Sequence, residues 1–463
     1  MTTPIPYGAP MRQHFCLDPN WKNLNHGKSP SHPIPTNNNI NTKTSPGSFG
    51  TYPLPIQSAL RAHQTTAESH PDLFIRRLCP SQTQHSLNLL STLLNAPSTS
   101  LAFVKNATTG VNTVLHNIPF TSDDVIIYFD TIYGAIEYGL LALQERTGVQ
   151  LRKVEYTLPI SHEEIVRRFR DVVETVRNEG KGVVRVKAAV FDMVVSVPAV
   201  RFPFEALVRE CKELGVLSVV DGAHGVGMLE VDLGSLGVDF FTSNLHKWLY
   251  IPRGCAVLYV APQHQHLMRT TSPTSWGYIS PSAAEEARVN GTTADAFRYL
   301  FQQTATNDDT PYLCVPEALK FREEVCGGEM TIYGYLERLA NEAADLVAGM
   351  LGTEVLRDEE GLLTRCAMTN VRLLVRVGGD GDGDGEEGGC TVVKKKEVGE
   401  VTLWFQNTLL DEYNTFVPVF EYNGWLWTRL SAQVYLDKSD FEWLGGVLKE
   451  LCGRVGKEAL QKK

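Results

Sequence analysis

The feature that most constrains this chain is an alternation running from about Ser81 to Val260. Short apolar, strand-like segments take turns with stretches of helical period. "SLAFVKNATTGVNTVLHNI" reads as a strand, a turn of small residues and a helix, and "DVIIYFDTIYGAIEYGLLAL" repeats the plan. In "HEEIVRRFRDVVETVRNEG", Ile165, Phe169, Val172, Val173 and Val176 fall on one helical face, and Gly180 follows as a stop. "KAAVFDMVVSV" is a strand of the fully buried kind, and "FEALVRECKELGV" is a helix. "LSVVDGAHG", "DFFTSNLHKW" and "CAVLYVA" add further strands. Such alternation predicts an α/β fold whose mostly parallel sheet is covered on both faces. Ligands of such sheets bind beyond the carboxyl ends of the strands, so the chemistry belongs in the strand-to-helix loops.

From about Pro311 the pattern changes to long helices and a few strands, which predicts a smaller α+β domain over 311–463. The large domain then covers 71–310, behind an N-terminal segment 1–70. Within the small domain, "GGDGDGDGEEGG" followed by "KKK" reads as a flexible loop over 378–399. Its alternating Asp and Gly lack the spaced ligands and terminal Glu of a calcium loop, and no metal site is expected. The 463 residues carry a formal net charge of −10 without a concentrated basic patch, which argues against nucleic acid as a partner. Nine scattered cysteines without CxxC spacing argue against a disulfide framework or zinc, and for a reducing compartment. The N-terminal stretch has no apolar h-region, and no apolar run is long enough to span a membrane. The expected location is the cytoplasm.

Four features near predicted strand ends can carry chemistry. Asp221 closes an apolar strand in "VVDGAHGVG", where a carboxylate either caps the next turn or serves a ligand. Lys247 in "FFTSNLHKWLYIPRG" stands in aromatic, apolar surroundings that suit a Schiff-base nucleophile, although a lone lysine of this kind is more often a surface residue. The Ala107-Thr108-Thr109 turn opens a helix whose N–H groups can take a phosphate. Arg429, inside "WLWTRLSAQVYLD", needs a carboxylate from the protein or from a ligand. Together these four match what pyridoxal phosphate requires: a lysine, an acid for the pyridine nitrogen, a phosphate cradle and an arginine for a substrate carboxylate. Tyr133 in "DTIYGAIEYG" is a candidate ring partner or proton donor, or else a core tyrosine. No GxGxxG follows the first strand, which argues against a nicotinamide dehydrogenase.

The chain resembles the fold-type I pyridoxal-phosphate enzymes of the class V aminotransferase family. The resemblance rests on "LNHG…SFGTYP", "NATTGVNTVL", "YFDTIYGA", "VPAVRFPFE", "VVDGAHGVGM", "SNLHKWLYIPRGCAVLYV" and "RLSAQVYLDKSDFEW". It is similar to the fungal branch that includes hercynylcysteine sulfoxide lyases, and to isopenicillin N epimerase-like proteins. "VVSVPAVRFPFE", "DGAH" and "TATND" resemble the sister branch of loline-type alkaloid cyclases. This resemblance implies a seven-stranded-type sheet and a homodimer with its sites at the interface. Lys247 would be the Schiff-base lysine, Asp221 the pyridine partner and His224 a neighbour of the ring hydroxyl. Ala107, Thr108, Thr109, Ser196, Asn244 and His246 would help to hold the cofactor, and Thr306 would reach the neighbouring subunit's phosphate. Asn25, His26 and Arg429 would meet the amino-acid substrate, with Tyr133 over the cofactor. The implied reaction is β-elimination at a carbon–sulfur bond. The alternatives are γ-substitution or ring closure, another transferase reaction of the family, or a catalytically silent scaffold.

One tract interrupts this pattern. Between "NLNHG" and "SFGTYP", residues Lys28–Gly47 are Ser, Pro, Thr and Asn-rich, and bury too little apolar surface to offset the entropy of ordering them. Removing them restores "LNHGSFGTYP" in frame. Gly27-Lys28-Ser29 can be encoded by GGTAAGT, a splice-donor sequence, and Pro46-Gly47 can carry an acceptor CAG. The tract is therefore read as a retained intron, with a genuine surface insertion as the alternative.

Overall fold

The computed structural model describes residues 5–25, 49–180, 183–302, 304–379, 385–387 and 389–460. His26 and the tract 28–47 lie outside the described residues. Contacts divide the chain into two compact units: Gly50–Val195 with Phe202–Glu323, and Met1–Phe49 with Ser196–Arg201 and Glu324–Lys463.

The first unit is built on a seven-stranded sheet. Its strands are β1 (Leu101–Val104), β2 (Asp124–Phe129), β3 (Gln150–Val154), β4 (Arg185–Asp192), β5 (Leu217–Asp221), β6 (Phe240–Asn244) and β7 (Ala256–Val260). Their order is β1-β7-β6-β5-β4-β2-β3. Only β7 runs antiparallel to its neighbours. The predicted α/β class with a mostly parallel sheet is what the chain forms. Strands β1, β2, β6 and β7 are buried at every position, as strands covered on both faces must be. Val111, Val114 and Leu115 of the helix Ala107–Asn117 share one apolar cluster with Ile126, Val190 and Leu258 of the sheet. The helix His162–Glu179 starts at Ser161, whose hydroxyl accepts from the Glu164 N–H at 3.2 Å. It buries Ile165, Phe169, Val173 and Val176, each worth roughly 1.5–3 kcal/mol. Val172, expected on the same face, sits half-buried at its edge.

One expected strand is too long. "KAAVFDMVVSV" leaves the sheet at Asp192 instead of continuing to Val197. The β4–β5 ladder ends where Asp192 pairs with Asp221, and the Met193 N–H closes it on the Asp221 carbonyl at 2.9 Å. Met193, Val194 and Val195 remain buried outside the sheet, with only a single bridge at Val194, which is why composition alone makes them look like strand.

The second unit carries a five-stranded sheet, ordered β11-β12-β8-β10-β9. These strands are β8 (Met368–Gly378), β9 (Gly385–Glu387), β10 (Cys390–Lys394), β11 (Val419–Tyr422) and β12 (Trp425–Ser431). The helices Glu329–Leu351 and Lys438–Glu458 pack on each other and on β8. The stretch 378–399, expected as a loop, thus contains two strands. Val392 and Val393 are buried as β10 pairs in parallel with β8, a placement masked in the sequence by the flanking glycines and lysines. Among the described residues no helix is long and apolar enough to cross a membrane, and no cluster of metal ligands forms.

Candidate active site

The short helix Leu245–Trp248 follows β6 directly and carries Lys247 into a buried position. Lys247 Nζ lies 3.0 Å from His224 Nε2, while His224 Nδ1 faces Trp248 Nε1 at 3.2 Å. An indole N–H can only donate, so Nδ1 accepts and the imidazole proton sits on Nε2. That ring nitrogen faces Lys247 Nζ, the candidate nucleophile. Arg322, fully buried, donates to the Trp248 carbonyl at 2.8 Å and the Gly227 carbonyl at 3.0 Å, fastening the segments that bear Lys247 and His224. Gly50, from the "SFGTYP" turn, backs onto this segment with φ +64°. A Cβ there would lie 1.7 Å from the His246 carbonyl oxygen, so only glycine fits.

Asp221 ends β5 and is 2% exposed; its Oδ1 accepts from the Ala223 N–H at 2.9 Å. Burial pushes its carboxyl up, opposed by that N–H and by Lys247. Tyr133, half-buried at the start of the helix Gly134–Thr147, is held as the phenol, first by burial and then by the charge of Asp221. Asp192, which ends β4 in register with Asp221, is a third acidic group of this cluster.

The helix Ala107–Asn117 begins beside these strand ends. Asn106 caps it, its Oδ1 accepting from the Thr109 N–H at 2.8 Å and from the Thr109 hydroxyl at 3.0 Å. Asn244, the last residue of β6, takes the Ala107 N–H at 2.8 Å. Of the three expected cradle residues, Thr108 alone keeps an N–H and a hydroxyl without a hydrogen bond among the described residues. His246 donates Nδ1–H to the Cys255 carbonyl at 2.9 Å. Burial, then the neighbouring Lys247, lowers it to about 4, so the ring is neutral at ordinary pH.

In the second unit, Arg429 lies on β12 with no exposed surface. It donates to Asn25 Oδ1 at 2.7 Å and to the Ser196 carbonyl at 3.0 Å. Burial lowers the guanidinium to about 10, which leaves it charged at neutral pH. Ser196, expected near the cofactor, groups here with Arg429 and Asn25. Thr306 is exposed. Lys247, His224, Asp221, Tyr133, Asn244, His246 and Ala107 share the first unit, gathered by strand ends and the loops that follow them.

Sequence reasoning missed Asp192, Trp248 and Arg322. Asp192 carries a weaker signal, a charge that interrupts an apolar run continuing through Met193, Val194 and Val195. Arg322, in "PEALKFREE", reads as one charge among many on a helix.

These residues fit pyridoxal phosphate. They provide a buried primary amine, a buried carboxylate for the ring nitrogen, and a helix N-terminus where Thr108 still offers two donors. Residues 81–295 match the family described as Aminotransferase class-V. The chain is 38% identical over 464 residues to the L-cysteine desulfhydrase-like protein lolT1 of Epichloe uncinata, covering 97% of each chain. It is 27% identical to the hercynylcysteine sulfoxide lyase of Schizosaccharomyces pombe, over 96% of this chain and 98% of that one. Among solved structures, the apo cysteine desulfurase of Thermococcus onnurineus NA1 superimposes with a TM-score of 0.67 at 16% identity, covering 98% of this chain and 99% of the other. The cystine C-S lyase C-DES, in complex with its product cysteine persulfide, gives the same TM-score and identity over 87% and 95%. The chain belongs to the class V aminotransferase family and is a pyridoxal-phosphate-dependent enzyme of fold type I.

Proposed function

We propose that this enzyme is a carbon–sulfur lyase that performs β-elimination on a cysteine-derived amino acid, such as a cysteine sulfoxide. The observation that carries this reading is Tyr133, a phenol kept protonated by burial and by Asp221, in the unit that holds Lys247. Elimination needs a base for the Cα proton and an acid for the departing sulfur. The relatives named for cysteine desulfhydrase-like and sulfoxide lyase activities support the same chemistry.

Pyridoxal phosphate, when bound, supplies a carbonyl carbon for an amine and a ring that withdraws electrons from Cα. Lys247 provides the amine that anchors it, and afterwards removes the Cα proton. Asp221 would pair with the ring nitrogen, and His224 lies within hydrogen-bond reach of the Lys247 amine. Thr108, Thr109, Ala107, Asn244 and His246 would hold the phosphate. Arg429, steadied by Asn25 and Ser196, receives the substrate carboxylate through its planar fork. His26 is assigned to the same substrate. Tyr133 gives its proton to the leaving sulfur, so a thioether releases a thiol and a sulfoxide releases a sulfenic acid, with pyruvate and ammonia after hydrolysis.

The test is pyruvate release from cysteine S-conjugates and their sulfoxides by the purified holoenzyme. Tyr133→Phe should cut kcat about 100-fold or more while leaving the cofactor's visible spectrum in place. Absence of pyruvate with every cysteine conjugate would sink the lyase reading. A second reading, γ-substitution or ring closure, is favoured by the Lys247–His224 contact, because γ-chemistry moves a Cβ proton as well as the Cα proton. A cyclase releases neither pyruvate nor sulfur. We also propose that the enzyme is a cytoplasmic homodimer in which Thr306 reaches the neighbouring subunit's phosphate. Nine free cysteines agree with a reducing compartment, and light scattering checks the dimer.

A further inference from the structure

Asp192 is a buried titratable group that the roles above leave unused. It ends β4 directly beside Asp221 at the end of β5, with the two Cα positions in register. In-register neighbours on parallel strands lie about 4.8 Å apart and direct their side chains to the same face of the sheet. Asp192 is 5% exposed and Asp221 2% exposed, so water screens neither carboxyl. The charged groups facing Asp192 are Asp221 on β5 and Lys247 after β6; the backbone N–H groups of Asp192 itself and of Tyr133 also act on it. Lys247 contributes at most one positive charge, which one ionised carboxylate balances. A second would stand uncompensated in a dry site, and two carboxyls so placed do not both ionise.

We propose that Asp192 and Asp221 form a carboxyl pair holding a single proton, with Asp192 the protonated member and a positioning residue for Asp221. The assignment of the proton follows from the partners. Asp221 accepts from the Ala223 N–H at 2.9 Å, the strongest influence favouring its ionised form, whereas for Asp192 the N–H groups of Asp192 itself and of Tyr133 rank behind burial and the charges of Asp221 and Lys247. Burial followed by the charge of Asp221 pushes Asp192 well above the carboxylate range, in the same direction. A protonated Asp192 can donate to Asp221, fix its orientation and lower its basicity toward whatever cation it faces. The inference rests on the reading of Asp221 as the ring-nitrogen partner for its purpose, but not for its geometry.

The test uses the apoprotein with ¹³C-labelled aspartate, observed by infrared spectroscopy. One protonated carboxyl C=O band should persist above pH 6 in the wild type and vanish in Asp192→Asn. Absence of any protonated aspartate at pH 6.5 in the wild type overturns the proposal without needing a variant, and so does a band that survives in Asp192→Asn. Stability supplies a second readout. A carboxyl whose folded value lies above its unfolded one contributes stability at low pH that is lost as pH rises. Asp192→Asn escapes that loss, so its urea midpoint relative to wild type should climb from pH 4 to pH 8; a relative midpoint that stays constant or falls refutes the pair. Failure of the Asp221 reading looks different: Asp221→Asn would keep full activity while the wild-type band stayed in place.

Discussion

At the scale of single residues, the site depends on which nitrogen of His224 holds its proton. Trp248 Nε1–H fixes that choice by donating to Nδ1. Trp248→Phe keeps the ring and removes the donor, so both tautomers become accessible. Loss of one buried hydrogen bond of about 1 kcal/mol predicts a roughly fivefold fall in kcat, with a displaced acid limb in the pH profile. An unchanged profile would show that the indole does not select the tautomer. Lys247 and Asp221 were legible in the sequence because each interrupts an apolar strand end with a charge. Arg322 was not, since its helix neighbours are charged too and only its packing beneath Trp248 and Gly227 identifies it.

Elements set the site by close approach. Gly50→Ala forces a left-handed conformation on alanine and drives its Cβ into the His246 carbonyl. The expected result is a loss of at least about 2 kcal/mol in denaturant unfolding, or a displaced Lys247 segment with activity lost. A Gly50→Ala variant with wild-type stability and turnover would contradict this packing. Strand β2 offers a pH signature of its own. Asp124 at its start is buried, which raises its carboxyl, but bonds from Arg185, the Thr121 N–H at 2.8 Å and Lys187 at 3.1 Å outweigh burial and hold it at about 2. A folded value below the unfolded one gives stability that is present above about pH 4 and lost as pH falls through 2. Asp124→Asn should therefore cost no more than about 2 kcal/mol at pH 7, since solvent around Arg185 screens part of the effect. That difference should vanish near pH 2, and the urea midpoints of both proteins at the two pH values measure it.

At the scale of the whole molecule, the tract Lys28–Gly47 separates two halves of one sequence motif, with Asn25 before it and Gly50 after it. Asn25 holds Arg429 and Gly50 backs onto the Lys247 segment, so both flanks reach functional residues. Deleting the tract should leave the unfolding midpoint within about 1 kcal/mol, because loop entropy grows slowly with length. It should also raise turnover, or allow an amino-acid-induced change in the cofactor's absorbance that the full chain lacks. Equal responses from the two proteins would mark the tract as harmless surface. A spliced transcript that still encodes Lys28–Gly47 would rule out an intron.

What the sequence by itself determined is the fold class and the cofactor. Both are written in local patterns: strand and helix periods between Ser81 and Val260, and charges placed where apolar strands stop. The β10 strand was hidden because Thr391, Val392 and Val393 form a strand only by pairing with β8, while their neighbours read as linker. Only the tertiary structure decided that β4 ends at Asp192, because a strand stops where its partner's ladder stops and not where apolar residues run out. It also decided which buried groups face each other. Asp192 beside Asp221, Trp248 on His224, and Arg322 under the lysine segment are all pairings between residues distant along the chain, and no local period encodes them.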